Sequence, residues 1–414
     1  MTYPDSVRYL YTLGNEIKSV KLGLDSIRAL LDALGNPQDT YEIIHVAGTN
    51  GKGSTCAMIE AGLRHAGVRT GLYTSPHLVE PTERIRINGE QVTSEQFATA
   101  FDRVHEAAER LVAQGLLDAH PTYFETVTAM AFLLFQEAQI DKLVCEVGLG
   151  GRLDATNVVK PKLCVITAID YDHEQYLGNT LTLIAGEKAG IMKPGVPVIF
   201  ARQRIEAEWE LTARAGDLKL DPIRTSDFAI EDLELHAHGC RYRADGLRIE
   251  CPLPGAHQVD NSLTAAVALH QLGYPTDGMA NTVWPGRLER VSREPEIILD
   301  GAHNPAGARA LAKHIEQFYR DRRVVLVYGT MRDKAVEEVT GLLFPLADEL
   351  ILTAPENPRS LRPESLREHF PEASIAANLE DALAQARAIA STDGVIFVTG
   401  SLFLVGEARR LLVP

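Results

Sequence analysis

A strand followed by a glycine-rich loop and a helix is the feature that most constrains the fold of this chain. The segment Glu42–Ala47 is mostly apolar and predicts a strand, and helically spaced apolar residues follow from residue 57 onward. Between them lies the loop Gly48-Thr-Asn-Gly-Lys-Gly-Ser54. Backbone N–H groups in such a loop, opening onto the amino end of a helix, can bind phosphate oxygens. The pattern predicts a nucleotide-binding α/β unit, and the alternative is a purely structural turn.

The loop departs from the strict phosphate-binding pattern GxxxxGK[ST]. Val46 stands where the first glycine of that pattern belongs, and Gly53 follows the lysine. Lys52 still supplies a positive charge for phosphate, and Ser54 supplies a hydroxyl near a bound metal ion. We therefore predict that one continuous run contacts ATP, namely Asn50, Gly51, Lys52, Gly53 and Ser54.

The length of 414 residues exceeds what one hydrophobic core usually supports and predicts two domains. Apolar strands alternate with periodic helices in two series, which indicates two mostly parallel sheets. Residues 1–288 are predicted to form a P-loop ATPase domain with a parallel sheet. Residues 289–414 are predicted to form a smaller, Rossmann-like α/β domain. The expected fold class is therefore α/β.

Individual elements follow from apolar periodicity and turn residues. A helix is predicted over 20–34 and another over 260–272, Asn88-Gly89 predicts a hairpin turn, and 224–251 predict a small antiparallel sheet. The predicted strands of the two series are Glu42–Ala47, Lys142–Glu146, Leu163–Asp170 and Val196–Phe200, then Glu296–Leu299, Val324–Tyr328, Leu350–Thr353 and Val395–Thr399. Helices are predicted over 306–319 and 379–390 in the second series.

Composition excludes several classes of protein. The net charge of −15 argues against a nucleic-acid-binding protein, which needs a basic face. The apolar runs are too short to span a bilayer, and the first residues lack a basic segment followed by an apolar one. The five cysteines are odd in number and show no CxxC spacing. We expect a reduced, cytoplasmic protein with no zinc site and no membrane or nucleic-acid partner.

Six further segments, in order along the chain, point to one family. They are Thr74–Leu78, Glu146–Asn157, Asp172-His173 with Leu177-Gly178, Glu187–Ile191, Pro285–Arg287 and Asp300–Pro305. With the glycine loop they resemble the Mur-type amide ligases, in particular folylpolyglutamate synthase and dihydrofolate synthase. The resemblance runs from about Leu22 to Ser401, nearly the whole chain. It implies an ATP-dependent, magnesium-using ligase that adds L-glutamate to the carboxylate of a folate.

The resemblance assigns Ser75, Glu146 and His173 to magnesium. Glu146 and His173 lie at or just beyond the ends of predicted strands, where open α/β sheets bind their ligands. Mg²⁺ prefers hard oxygen ligands. One or two Mg²⁺ ions are expected in this protein. Two alternatives stay open. Glu146 could form an ion pair with Arg152, and His173 could serve only as a hydrogen-bonding group, because imidazole is not a preferred magnesium ligand.

Lys52, Lys188 and His303 are the predicted catalytic residues. Composition alone favours a solvated helix lysine at Lys188, whereas the resemblance implies a lysine that CO₂ carbamylates into an anionic oxygen ligand. Only a neutral amine reacts with CO₂, and partial burial lowers the pKa of a lysine enough to permit that. His303 is expected to orient the incoming glutamate or the γ-phosphate, and the alternative for it is helix capping.

Three residues are implied to contact ATP from the other side, namely Asn261, Arg287 and Asp300. A carboxylate can bind ribose hydroxyls, and a guanidinium can donate two hydrogen bonds to phosphate. The alternative for Arg287 is an ion pair between domains with Asp300 or Glu289.

The segment Thr122-Tyr-Phe-Glu125 occupies the position of the pterin-pocket motif of the family. The resemblance therefore assigns Thr122, Tyr123, Phe124 and Glu125 to folate binding. An aromatic ring can stack on a pterin, and a carboxylate can accept its N–H groups. Tyr123 and Phe124 also begin an apolar helical pattern, so core packing is the alternative.

The implied reaction passes through an acyl-phosphate, and a site with parts on two domains implies closure around the substrates. The partners would be ATP, L-glutamate and a reduced folate or dihydropteroate, bound by a monomer. Lys21-Leu-Gly-Leu24 lacks an acidic residue found in some bifunctional relatives, which favours polyglutamylation without excluding the dihydropteroate reaction. The alternatives are a Mur-type ligase acting on a cell-wall precursor, and a P-loop kinase or regulatory ATP-binding module.

Overall fold

The computed structural model describes residues 1–14, 23–332, 335–367 and 370–413. The chain divides into two compact units. The first comprises Met1–Glu231, Arg243–Ile249 and Asp260–Asn281, and the second comprises Asp232–Tyr242, Glu250–Val259 and Thr282–Pro414.

The helices and strands are numbered in chain order. The α-helices are α1 Tyr3–Thr12, α2 Asp25–Ala33, α3 Lys52–His65, α4 Ser94–Ala113, α5 Tyr123–Glu137, α6 Glu174–Leu177, α7 Leu181–Ala189, α8 Ile205–Asp217, α9 His257–Gln271, α10 Pro305–Phe318, α11 Val336–Leu343, α12 Pro363–Arg367, α13 Leu379–Ala390 and α14 Leu402–Leu412. The strands are β1 Glu42–Ala47, β2 Thr70–Tyr73, β3 Ile85–Ile87, β4 Glu90–Gln91, β5 Lys142–Glu146, β6 Leu163–Ile166, β7 Val198–Phe200, β8 Ile223–Arg224, β9 Ile230–His236, β10 Gly239–Ala244, β11 Leu247–Cys251, β12 Glu289–Arg293, β13 Glu296–Leu299, β14 Val324–Tyr328, β15 Glu349–Leu352, β16 Ser374–Ile375 and β17 Val395–Thr399.

The first unit is built on an eight-stranded sheet in the order β4-β3-β2-β5-β1-β6-β7-β8. Six neighbouring strands of this sheet run parallel, namely β2, β5, β1, β6, β7 and β8. The remaining two, β3 and β4, add an antiparallel edge next to β2. Asn88 and Gly89 turn the β3–β4 hairpin with φ values of 51° and 86°, as the Asn-Gly pair predicted. Because β2, β5, β1 and β6 are parallel neighbours, the loops that follow them emerge at one edge of the sheet.

Apolar side chains on these strands are covered by helices. One buried cluster packs α2, α4 and α5 against β1, β2 and β5, and another packs α7 and α8 against β6 and β7. Strands buried in this way read as continuous apolar runs in a sequence, which is why β1 and β5 were predicted with their observed bounds.

The second unit holds a six-stranded sheet in the order β12-β13-β17-β14-β15-β16. Of the strands described in this sheet, β12 alone runs antiparallel, against β13. Its core packs α10 and α11 against β13, β14 and β17. A separate three-stranded sheet has the order β11-β10-β9. The structure thus confirms an α/β chain with a large parallel-rich sheet followed by a smaller one.

Several predicted bounds were wrong. The predicted helix over 20–34 is α2, which starts at Asp25, and residues 20–22 of that prediction lie outside the described part of the chain. The predicted strand Leu163–Asp170 ends at Ile166, and the strand expected from Val196 begins at Val198. Among the described helices none is both long and apolar enough to cross a membrane.

Candidate active site

The glycine loop lies between β1 and α3 and is fixed by hydrogen bonds to the segment after β6. The N–H groups of Thr49 and Asn50 donate to the Ala168 carbonyl at 3.0 and 3.1 Å. The Thr167 hydroxyl donates to the Asn50 carbonyl at 2.8 Å. β6 ends at Ile166, and two of the residues beyond it that were predicted as strand, Thr167 and Ala168, bind the glycine loop.

Two glycines of this loop have no room for a side chain. Gly48 has a φ of 150°, and a Cβ there would lie 1.9 Å from Thr167 Oγ1. Gly51 has a φ of 84°, and its Cβ would lie 2.1 Å from Asn261 Oδ1. Both conformations favour glycine. The structure thus places Asn261, which is buried, directly against the amino end of α3.

The amino end of α3 is suited to an anion. Lys52 is its first residue and Gly51 its cap, and no side chain caps this helix among the described residues. Lys52 Nζ donates to the Thr49 carbonyl at 3.2 Å, which keeps the ammonium group over the loop. Ser54 is buried in the first turn. A helix amino end without a side-chain cap, together with a lysine, favours the binding of a negatively charged group, as the loop sequence predicted.

A cleft of about 40 Å³ opens beside the loop. Its lining residues are Gly48, Thr49, Lys52, Val147, Gly148, Leu149, Gly150, Asp172, His173, Leu177 and Lys188. The structure thus brings together three residues that the sequence predicted separately, Lys52, His173 and Lys188. They come from the loops after β1 and β6 and from α7.

Asp172 is a lining residue that was not among the predicted site residues. Its carboxylate accepts the N–H of His173 at 2.8 Å, and its Oδ1 lies 3.9 Å from His173 Nε2. A carboxylate oxygen suits Mg²⁺ better than an imidazole nitrogen does. The signal for Asp172 was present in the sequence, because it precedes His173 in the loop beyond an apolar strand.

Lys188 is buried in α7, so the interpretation as a solvated helix lysine was wrong. Its Nζ donates to the Gly48 carbonyl at 2.8 Å. Burial, with a further contribution from the charge of Lys52, lowers the pKa of Lys188 to about 7. A substantial part of the amine is therefore neutral near pH 7 and able to act as a nucleophile.

Glu146 and Ser75 meet at the carboxyl ends of β5 and β2. Glu146 is buried, and its Oε2 accepts the N–H of Ser75 at 3.1 Å. Arg152, the alternative partner for Glu146, forms its ion pair with Glu187 at 2.8 Å. Within the described residues the lining of the cleft includes Val147 but neither Glu146 nor Ser75.

The loop after β5 is held by a second buried carboxylate, Asp154. It accepts the N–H of Leu149 at 2.8 Å and that of Thr156 at 3.0 Å. Burial raises the pKa of Asp154 despite these donors. The glycines at 148 and 150 are thereby fixed in the wall of the cleft.

The start of α5 separates the two aromatic residues of the predicted pterin motif. Tyr123 is buried in the core, with the Arg84 guanidinium 5.4 Å from its ring centroid. Phe124 is half-buried, and its ring packs so closely on Gly148 that a Cβ there would lie 2.4 Å from Phe124 Cζ. Tyr123 is therefore a core residue, whereas Phe124 packs partly against the same core and partly against Gly148 in the wall of the cleft.

Thr122 and Glu125 form a capping box at the same helix end. The Glu125 carboxylate accepts the N–H of Thr122 at 2.8 Å, and the Thr122 hydroxyl accepts the N–H of Glu125 at 3.3 Å. The Thr-x-x-Glu spacing signals this arrangement, which the sequence analysis missed. Glu125 Oε1 is buried and has no hydrogen-bond partner among the residues that the structure describes, so one carboxylate oxygen remains for another donor.

Arg287, Asp300 and His303 lie together in the second unit, near the carboxyl end of β13. Asp300 accepts the N–H groups of Leu288 at 2.9 Å and Ala302 at 3.0 Å. Burial raises the pKa of Asp300, and the charge of Arg287 lowers it in part.

The alternatives for Arg287 and His303 were an ion pair between domains and helix capping, and the described contacts of these residues differ from both. Arg287 Nη1 donates to the Gly286 carbonyl at 3.2 Å, and Glu289 forms an ion pair with Arg409 at 3.2 Å. Helix capping at α10 is performed by Asn304, whose side chain accepts the N–H of Gly307. His303 Nδ1 donates instead to the Gly301 carbonyl at 2.7 Å, which orients the ring.

Comparison with known proteins gives consistent matches. A family model for the Mur ligase middle domain matches residues 46–269, and one for the Mur ligase, glutamate ligase domain matches residues 286–402. The folylpolyglutamate synthase of Lacticaseibacillus casei is 35% identical over 430 residues, covering 100% of this chain and 99% of that protein. The structure of Mycobacterium tuberculosis folylpolyglutamate synthase complexed with ADP matches with a TM-score of 0.91 and 34% identity, covering 100% of this chain and 99% of that one.

One relative is much longer than this chain. A probable bifunctional folylpolyglutamate synthase/dihydropteroate synthase of Haloferax volcanii is 36% identical over 437 residues. The alignment covers 100% of this chain but 51% of that protein, so the chain spans about half the length of this relative.

Proposed function

This chain belongs to the folylpolyglutamate synthase and dihydrofolate synthase family of Mur ligases, and we propose on that premise that it joins L-glutamate to the carboxylate of a folate at the expense of ATP. The observation that supports the proposal best is the cleft in which Lys52, His173 and Lys188 meet the glycine loop. The full-length similarity to folylpolyglutamate synthases favours a folate acid over a cell-wall precursor. The match to a glutamate ligase domain disfavours a kinase.

The chemical task is to give a carboxylate a leaving group. A carboxylate oxygen attacks the γ-phosphorus of ATP, the bond to the ADP oxygen breaks, and an acyl-phosphate forms. The amine of glutamate then attacks the carbonyl carbon and loses a proton, and the C–O bond to phosphate breaks. Lys52 and the amino end of α3 supply positive charge where the phosphoryl oxygens gather negative charge.

The residues around the cleft fit magnesium. The buried Glu146 carboxylate accepts the backbone N–H of Ser75, so these two residues bring a carboxylate and a hydroxyl to the ends of two parallel strands. Asp172 adds a carboxylate that lines the cleft itself. We propose these three with His173 as the group that holds the ion. When bound, Mg²⁺ would offset the charge of the ATP phosphates.

We propose that Lys188 is carbamylated. Its nitrogen would attack the carbon of CO₂ and release a proton, which leaves an anionic carbamate beside Gly48. Burial and the pKa of about 7 support this, because they keep much of the amine neutral at pH 7. Asn261, Arg287, Asp300 and His303 are proposed to bind ATP and glutamate, with residues 1–288 as the ATP-binding part and 289–414 as the glutamate-ligase part.

The carbamylation proposal predicts bicarbonate-dependent activity. In buffer freed of CO₂ we expect turnover to fall, and added ¹³C-bicarbonate should restore it together with a carbamate signal in the ¹³C NMR spectrum. Lys219→Ala, at an exposed lysine before β8, serves as the matched control and should keep both responses. Full activity in Lys188→Ala would refute the proposal.

Product formation tests the function itself. With tetrahydrofolate, L-glutamate and ATP·Mg²⁺ present, we expect ADP release and a folate product one glutamyl residue heavier by mass spectrometry. Omission of either the folate or glutamate should stop ADP release, because the acyl-phosphate then cannot form or cannot be consumed. Dihydropteroate assayed side by side determines whether both reactions occur. ADP release that ignores glutamate and yields no amide would contradict the proposal.

Different roles are expected for the two aromatic residues of α5. Phe124→Leu should raise the KM for the folate by about 5- to 150-fold and leave the KM for ATP unchanged, since stacking on a base-like ring contributes about 1–3 kcal/mol. Tyr123→Leu should instead destabilise the fold, by about 1–3 kcal/mol for a changed shape in a packed core. Steady-state kinetics and urea denaturation of both variants check this. Equal folate KM values in wild type and Phe124→Leu would exclude the stacking role.

A further inference from the structure

Two imidazoles and a carboxylate cluster at α4 and the connection that follows it, and none of the three is assigned to the reaction. His105 and Glu109 lie one helical turn apart on α4, and His120 lies in the connection between α4 and α5. His120 Nε2 is 2.9 Å from Glu109 Oε1, and His105 Nε2 is 3.9 Å from the same oxygen. One ligand atom from each side chain lies within 4.8 Å of the other two.

We propose that His105, Glu109 and His120 form a binding site for one transition-metal ion of the Zn²⁺ type. A tetrahedral ion with bonds of about 2.0–2.1 Å places its ligand atoms about 3.3–3.5 Å apart. The two separations from Glu109 Oε1, 2.9 and 3.9 Å, lie on either side of that value, and the ligand atoms of the two imidazoles lie within 4.8 Å of each other, so modest side-chain shifts would suffice. Two histidines and one carboxylate leave a fourth position for water.

The packing around the cluster orients its ligands in advance. The His105 ring stacks on Phe101 with centroids 5.4 Å apart and an interplanar angle of 11°. Tyr9 packs edge-on against the same imidazole, with its ring centroid 4.6 Å from that of His105. The His105 and His120 rings are nearly parallel, at 23°. Rings fixed in this way lose little side-chain entropy when they bind an ion.

A simple histidine–carboxylate hydrogen bond explains less of the geometry. It accounts for His120, but at 3.9 Å the nitrogen of His105 is beyond hydrogen-bonding distance of Glu109 while still facing it. Nitrogen donors favour Zn²⁺, Co²⁺ or Ni²⁺ over Mg²⁺, so this site differs in ion type from the proposed ATP site. The cysteine pattern led to the expectation of no zinc site, and the present proposal departs from that expectation because its ligands are two imidazoles and a carboxylate rather than thiolates.

Occupation of the site would tie α4 to the residues that lead into α5. His120 precedes Thr122, the cap of α5, by two residues, and Phe124 follows in the first turn. An ion bound by His105, Glu109 and His120 would therefore stabilise this connection. The proposal does not depend on the ligase reaction.

Cobalt titration of the full-length chain, free of any histidine tag and in excess Mg²⁺, tests the site. We expect one Co²⁺ per chain with the visible d–d bands of a tetrahedral site, displaced by Zn²⁺. The double variant His105→Gln/His120→Gln should bind Co²⁺ at least about 100-fold more weakly, because it loses two of three ligands. His270→Gln, at an exposed histidine of α9, is the matched control and should bind as wild type does.

A rise in thermal midpoint with Zn²⁺ should accompany binding in wild type and be lost in the double variant. X-ray absorption of the wild-type Zn²⁺ complex gives a readout that needs no variant, and two imidazole ligands are expected. Unchanged Co²⁺ affinity in a folded double variant, or a coordination shell without imidazole, would overturn the proposal.

Discussion

Replacing Lys52 with Ala is expected to lower kcat for ADP formation by about 100- to 1000-fold, the range seen when a donor to developing charge is removed. The ammonium group is positioned over the loop by its hydrogen bond to Thr49 and lines the cleft. In the proposed arrangement Lys52 is the nearest side-chain cation to the γ-phosphoryl oxygens. Without it, the negative charge that gathers on these oxygens during transfer is less stabilised. The measurement is steady-state ADP release at saturating folate and glutamate.

The fold should survive this substitution. Alanine is favourable in the first turn of a helix, and the lost hydrogen bond to Thr49 contributes about 1 kcal/mol. Lys219→Ala removes an exposed lysine that precedes β8, at the edge of the sheet opposite the loops that follow the strands, and should leave kcat unchanged. Circular dichroism and the thermal midpoint check folding. Turnover of Lys52→Ala within 10-fold of wild type would show that the nucleotide is bound elsewhere.

Strands buried on both faces were the most predictable part of this fold. β1, β5, β13, β14 and β17 have the bounds that their apolar runs predicted, because glycines, charged residues or turns border each run. The strand after Leu163 was predicted too long. Apolar character continues through Ile169, but the carbonyl of Ala168 accepts hydrogen bonds from the glycine loop, and a partner so distant in sequence leaves no local signal.

The chemistry of the site was predictable by residue type and less so by environment. Lys52, His173 and Lys188 were each predicted from their own motif, and parallel strands bring their loops to one edge. Burial of Lys188 was not predictable from composition, since its small neighbours Ala185 and Ala189 occur in exposed helices as well. It follows from packing against the loop at Gly48, which only the tertiary structure contains.

The residues at the start of α5 also divide into those that sequence spacing predicts and those whose environment only the tertiary structure shows. Thr122 and Glu125 could have been predicted as a capping box from spacing alone. The different environments of Tyr123 and Phe124 could not, because adjacent residues at the start of a helix point in different directions and Gly148 comes from another loop. Their roles in folate binding stay predictions that kinetics must test.

Replacing Lys188 with Met is expected to stabilise the protein at pH 7 while it lowers kcat at least about 100-fold. The side chain is buried, and its pKa is about 7 in the fold against 10.5 for an ordinary lysine. Each unit of that shift corresponds to about 1.4 kcal/mol of folding free energy, so burial of this amine costs a few kcal/mol at neutral pH. Methionine has a similar shape without the charge, and loss of the hydrogen bond to Gly48 offsets about 1 kcal/mol of the gain.

The sign of the pH dependence separates this explanation from simple repacking. Between about pH 7 and 10.5 the unfolded chain binds more protons at Lys188 than the folded chain does, so the stability of wild type rises with pH over that window. The advantage of Lys188→Met should therefore shrink by about 1.4 kcal/mol per pH unit above pH 7. Urea denaturation of both proteins at pH 7 and pH 9, in buffer free of CO₂, measures this, with Lys219→Met as the exposed control. Two outcomes would show that the buried amine does not oppose folding: a Met variant less stable than wild type at pH 7, or an advantage that stays constant between the two pH values. Either outcome would also remove the argument that this lysine is neutral enough to react with CO₂.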